Sequence, residues 1–204
     1  MFTVHATKKL LDRLKVRPDP APPESSTQLG NWYATALFWK PQVVLFVNEP
    51  TLLPVLVPLA PISRVLERLP AAVAEMLNEF DIPKAIIDTE LAAMTEHVVT
   101  KTANRSVVGM LNEFSFLGER FFDPGTDLHS LSIRLANTPC GPLYKSTSYP
   151  NSEVRLRLLG ETPEWVKRKN EAADARRQAS HQRNSDAEKQ TPGKQQADQP
   201  RPNP

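Results

Sequence analysis

The sequence predicts an α+β fold. It should hold a mainly antiparallel sheet of four or five strands covered by helices, in a single domain over residues 1–163, with a disordered polar tail over 164–204. Three observations carry this expectation. Val43 to Val47 is uniformly apolar and rich in β-branched residues, as a strand covered on both faces is. Arg105 to Phe121 repeats its large apolar side chains at helical spacing. From Lys167 to Pro204 there is no Val, Ile, Leu, Met, Phe, Trp, Tyr or Cys, so that stretch cannot bury enough apolar surface to offset the entropy of ordering itself.

The elements follow in chain order. Phe2 to His5 is a short strand, and Thr7 is placed to cap a basic helix, Lys8 to Lys15, with Leu10, Leu11 and Leu14 turned inward. Pro18 to Ser26 is a proline-rich extended loop. Gly30-Asn31 precedes an aromatic helix, Trp32 to Trp39. After the apolar strand, Asn48 to Thr51 supplies turn chemistry, and Leu52 to Leu59 returns as a strand whose prolines, Pro54 and Pro58, demand an edge, a bulge or an early end. Helices are expected at Ser63 to Leu69, Pro70 to Phe80 and Pro83 to Met94, the two prolines sitting well as opening residues. Glu96 to Lys101 is a strand. Leu131, Ile133 and Leu135 alternate with smaller or polar residues, which is the period of a half-buried strand. Val154 to Leu159 is an ordered element of undecided type.

Composition narrows the classes of function. One cysteine, Cys140, excludes an internal disulfide and any multi-cysteine metal site. The start of the chain lacks the basic segment and long apolar core of a signal peptide, and no apolar run approaches the length of a membrane span, so a cytoplasmic protein with no membrane contact is expected. Residues 1–160 hold sixteen basic and sixteen acidic side chains, so net charge alone does not argue for nucleic acid. No phosphate loop, nucleophile elbow, zinc-protease or dinucleotide motif occurs, and the four histidines stand at no metal-ligand spacing, so no cofactor and no metal are expected.

The segment from Lys101 to Phe114 attracts most attention. Val107, Met110, Leu111, Phe114, Leu117 and Phe121 share one side of the helix, and each large side chain buried there adds on the order of 2 kcal/mol. The other side gathers Arg105, Gly109, Asn112, Glu113, Phe116 and Arg120. Asn104 is a good N-cap, whereas Arg105 in the first turn opposes the helix dipole. Gly109 inside the helix costs about 0.5–1 kcal/mol relative to alanine. Two readings stay open. Arg105 pairs with a carboxylate inside the domain while Gly109 packs under a neighbouring strand, or Lys101, Arg105 and the helix N-terminus hold an anion or a peptide.

Several local motifs resemble one known family. They are Lys9-Leu10-Leu11, Leu29-Gly30-Asn31-Trp32-Tyr33-Ala34, Leu45-Phe46-Val47-Asn48-Glu49-Pro50-Thr51-Leu52, and Lys101-Thr102 with Asn104-Arg105-Ser106-Val107-Val108-Gly109 and Asn112-Glu113. Over about residues 1–160 the chain is similar to domain of unknown function 6933. The resemblance implies a compact bacterial domain and brings no activity, substrate or catalytic residue. Glu113 stands where the family favours Asp, and Met110 one place earlier than the family's Met.

The candidate binding residues are therefore Lys101, Asn104, Arg105, Gly109, Asn112 and Glu113, joined by Asn48, Glu49 and Asn31. No catalytic residue is assigned. The leading expectation is a non-enzymatic interaction or regulatory module with a protein partner. A second is nucleic-acid binding through the basic helix, which carries Lys8, Lys9, Arg13, Lys15 and Arg17, and the tail. The Trp32, Tyr33, Phe38 and Trp39 cluster reads as core packing or as a base-stacking surface. A third expectation is an enzyme with a dispersed site, which requires Arg105, Glu113 and His97 or His129 to converge.

Overall fold

Phe2–Ala6 forms strand β1, and the chain turns at Thr7 into helix α1, Lys8–Leu14. Thr7 occupies the cap position, but its hydroxyl donates to Thr35 Oγ1 at 2.9 Å instead of capping the helix. The next strands are β2, Trp32–Leu37, β3, Val43–Asn48, and β4, Pro54–Pro58. Helices α2, Leu69–Glu79, and α3, Lys84–Ala93, lead to β5, His97–Lys101. Helices α4, Arg105–Phe121, α5, Leu128–Ala136, and α6, Pro150–Leu159, complete the order. The computed structural model describes residues 1–162 together with Glu164, Lys167 and Arg168; apart from those three, the tail expected to be disordered lies outside the described residues.

The architecture of the described residues is α+β with five strands, in the order β4-β3-β2-β1-β5. The sheet is mixed rather than mainly antiparallel. β1 runs parallel to both β2 and β5, and β2-β3 and β3-β4 are antiparallel. The difference traces to one element. Trp32 to Leu37, expected as a helix, is the central strand, buried at every position. A strand covered on both faces shows no alternation, so its apolar run mimics a buried helix. Once it is a strand, β1-α1-β2 becomes a parallel crossover unit with the proline-rich loop as its return.

Side chains sort cleanly by face. Val4, Trp32, Ala34, Phe46 and Val55 point into one core, where Leu10 of α1, Val73 and Met76 of α2, Ile87 of α3 and Val154 of α6 cover them. Tyr33, Leu45, Val47 and Leu56 point into the other, covered by Val107, Met110 and Phe114 of α4 and Leu131 and Leu135 of α5. β4 takes the edge, as its prolines require. Its exposed backbone is closed by α5: the Leu56 N–H donates to Ser132 Oγ at 2.9 Å.

Residues 131–135, expected as a strand, belong to α5. Leu128, Leu131 and Leu135 also satisfy helical spacing, and Asp127 settles the choice by accepting from the N–H groups of His129 and Ser130. Those bonds, Ser130 first, hold the Asp127 carboxyl below its usual range. Of the helix expected at Ser63 to Leu69, only a 3-10 turn at Ile62–Arg64 forms. Among the described residues no helix is long and apolar enough to cross a membrane.

Candidate functional site

The nine candidate residues fall into an inner and an outer set. Asn48 is fully buried, and its amide is spent inside the fold. Its Nδ2 donates to the carbonyls of Leu29 and Asn31 at 3.0 and 3.1 Å, and its Oδ1 accepts from the Thr51 N–H and hydroxyl at 3.1 and 2.7 Å. Asn48 thus ties the β3–β4 turn to the entry of β2 and has no hydrogen left to offer a ligand.

Glu49 links that turn to α4. One carboxylate oxygen accepts from Asn31 Nδ2 at 3.3 Å, and the other accepts from the Tyr33 hydroxyl at 3.3 Å and Asn104 Nδ2 at 3.1 Å. The Asn104 N–H donates to Tyr33 Oη at 3.0 Å, and Asn104 Oδ1 caps the helix by accepting from the Ser106 N–H at 3.0 Å. Burial, with Glu49 adding to it, raises the Tyr33 phenol above its usual value, so it stays a donor at neutral pH. Asn31 Oδ1 is buried and has no partner among the described residues.

Tyr33 and His5 were not singled out as site residues by sequence. Their rings stack at 4.5 Å and 9° because register places them side by side on β2 and β1. His5 Nδ1 lies 3.1 Å from the Lys101 carbonyl. A carbonyl only accepts, so that bond puts the proton on Nδ1 and leaves Nε2 of the neutral ring as an acceptor. The signal for Tyr33 lay in its place two residues from Asn31; nothing local marked His5.

The outer set stands around the turn from β5 into α4. Lys101 ends β5 and Arg105 begins α4; both are exposed, and neither side chain makes an ion pair or hydrogen bond among the described residues. The reading in which Arg105 pairs internally is therefore not met. Nor does Gly109 pack under a strand, since an added Cβ would meet nothing within 4 Å among the described residues. Asn112 and Glu113 are exposed and lie about 10–12 Å further along the helix axis, outside reach of the β5–α4 turn.

Strand topology gives this turn a special position. β1 and β5 are parallel neighbours, yet β1 is followed by α1 on one face and β5 by α4 on the other. In open sheets, ligands sit at such a reversal, outside the carboxyl ends of the strands. Two clefts occupy that edge, sharing Pro18, Lys101 and Thr102. One, of about 700 Å³, is lined by His5, Arg17, Asp19, Thr100, Lys101 and Ala103. The other, of about 550 Å³, is lined by Lys8, Asp12 and Val16 of the α1 side. The proline loop roofs the first, with the Asp19 N–H donating to the Val99 carbonyl at 2.8 Å and Thr100 Oγ1 to the Asp19 carbonyl at 2.6 Å.

The residues needed for a dispersed catalytic site do not converge. His97 lies at the opening end of β5 in a cleft with Leu66 and Pro70. His129 faces Glu75 at 3.8 Å, in a separate cleft of about 390 Å³ whose Arg68 donates to the carbonyls of Pro58 and Ala60. Cys140 is buried, and burial together with Glu113 pushes its thiol up to about 12, so it is no nucleophile at neutral pH. Among the described residues no group of three or more His, Cys, Asp or Glu could hold a metal ion.

The chain matches the family described as Domain of unknown function (DUF6933) over residues 3–153, most of its length, and it belongs to that family. No curated protein and no solved structure matches it.

Proposed function

We propose that this member of the domain of unknown function 6933 family is a non-catalytic binding domain of the bacterial cytoplasm that takes an anionic group at the carboxyl edge of β1 and β5. The observation that carries the reading is the pairing of Lys101 and Arg105. Two positively charged side chains bracket one turn, both exposed and both without a partner among the described residues, while all but one of the side-chain polar groups around Glu49 are bonded within the domain.

Arg105 works against the dipole of its own helix and is repaid by no carboxylate of the described domain. The N–H groups of Arg105 and Val107 are also without partners there, since Asn104 caps only Ser106. An anion at this point would satisfy the helix N-terminus and both cations at once. Tyr33, Glu49 and Asn104 fix the geometry of the turn, so the site is preorganised.

Tripolyphosphate tests the reading. It should raise the melting temperature of the full chain in a saturable way. The Lys101→Ala/Arg105→Ala variant should keep the ligand-free melting temperature, because both side chains are exposed and unpaired among the described residues, and lose the increment. An equal increment in the variant removes the site. A large fall in its ligand-free melting temperature would return Arg105 to structural duty.

A further inference from the structure

We infer that the same edge continues into a track for single-stranded nucleic acid, on which Phe38 and Phe116 stack bases while α1 and the β5–α4 turn hold phosphates. The inference rests on the anionic-ligand reading above and names its ligand. It begins from the aromatic run after Gly30. Trp32 and Tyr33 are buried at 0% and 1% exposure and Trp39 at 9%, but Phe38 is 52% exposed. Phe116 of α4 is 60% exposed. These two rings line one cleft of about 310 Å³ together with Lys9, Trp39 and Glu119. Each carries an arginine: Arg13 lies 5.2 Å from the Phe38 centroid and Arg120 lies 5.6 Å from that of Phe116.

The aromatic cleft adjoins the charged crevice through α1. Phe38 follows the last residue of β2, which runs parallel to β1, so it stands on the same carboxyl edge as Lys101. Lys8 and Asp12 line the crevice beside Lys101, while Lys9 lines the aromatic cleft and Arg13 covers Phe38. The two clefts lie on either flank of α1, whose width with side chains is about 10 Å, within reach of two or three nucleotides. Charge is concentrated here. Residues 7–17 and 101–121 hold eight Lys and Arg against three Asp and Glu, although residues 1–160 as a whole are balanced.

A ligand suited to this edge is a polyanion whose repeating units each present a π-face. A single strand fits both requirements, because its bases are free to stack and its phosphates track the cations. A duplex hides its bases. An acidic peptide supplies the charge without a ring at every step, although arginine beside exposed aromatics is also what protein hot spots use.

The test is fluorescence anisotropy of the full chain with a labelled oligothymidylate of about twelve nucleotides, beside its duplex and a poly-glutamate peptide of equal charge. The single strand should bind at least about tenfold more tightly than either competitor, and Phe38→Ala/Phe116→Ala should weaken it about tenfold or more at an unchanged melting temperature. With three to five phosphates neutralised, the slope of log affinity against log salt should lie near −2 to −3.5. Unchanged affinity in the double phenylalanine variant, or no binding at low salt, overturns the inference. Equal binding of poly-glutamate with the same phenylalanine dependence also overturns it and assigns the surface to an acidic protein. If the oligonucleotide fails while tripolyphosphate still acts through Lys101 and Arg105, this inference falls and the reading beneath it stands.

Discussion

Two glycines of α4 should answer the same substitution with opposite signs. Glycine in a helix costs about 0.5–1 kcal/mol relative to alanine, so Gly→Ala is stabilising wherever the new methyl finds room. At Gly109 the methyl meets nothing within 4 Å among the described residues, and the full gain is expected. At Gly118 it would stand 2.8 Å from Trp39 Cη2, 3.4 Å from Cζ2 and 3.7 Å from Leu135 Cδ1. The indole cannot swing aside cheaply, because it is buried and packed on Phe122 at 4.8 Å. Overpacking of this kind costs about 1–3 kcal/mol; taking the middle of that range against the middle of the helical gain leaves a net loss of about 1 kcal/mol. In a domain of this size each 1 kcal/mol moves the melting temperature by about 2–4 °C. Urea titration followed by far-ultraviolet circular dichroism, with a common slope, reads both variants. A Gly118→Ala protein as stable as the parent, or a destabilised Gly109→Ala, would refute the packing described for this helix.

Other consequences follow from buried polar groups. Asn48→Asp keeps the acceptor used by Thr51, loses both donations to the Leu29 and Asn31 carbonyls and buries a charge, so it should lower stability by several times the roughly 1 kcal/mol of an ordinary hydrogen bond; a urea midpoint equal to the parent's would contradict its structural role. Glu90, fully buried, accepts from the Gln28 and Leu29 N–H groups at 2.7 and 3.1 Å, yet burial outweighs those bonds and raises its pKa. Between the ordinary glutamate range and that raised value the folded state holds more protons than the unfolded, so stability falls as pH rises through the window. Relative to Glu90→Gln, the parent should therefore gain stability on going from neutral to mildly acidic pH, and a pH-independent difference would dispose of the argument. Cys140 should resist iodoacetamide at pH 8 until the domain is unfolded, because its thiol is buried and held near 12; rapid alkylation of the native protein would be incompatible with that environment.

How much could be read from sequence depended on whether a local signal was unique. The limits of α4 and its Asn104 cap were legible because amphipathic period and cap chemistry agree. β4 was legible as a strand confined by its prolines to an edge, a bulge or an early end, and the sheet order shows which: it lies at the edge. β2 was not, since burial on both faces erases the alternation that tells strand from helix, and losing it concealed the parallel half of the sheet. α5 fitted two periods, and only the cap at Asp127 separates them.

The candidate residues divide along the same line. Lys101, Asn104 and Arg105 are close in sequence, and the structure keeps them together. Asn31, Asn48 and Glu49 arrive there through strand pairing, where Asn48 turns out to be committed to the turn. His5 could not be found without the register of β1 against β2. Gly109 and Gly118 look alike in sequence, and only the position of Trp39, far away in the chain, distinguishes them.

The most direct test of the carboxyl edge as the binding face is a titration of the isotopically labelled full chain with tripolyphosphate, followed by amide chemical shifts. The account predicts saturable shifts at Lys101 to Val107, with smaller ones at His5 and along α1. Shifts confined to the cleft of Arg68 and His129, or none at millimolar ligand, would contradict it.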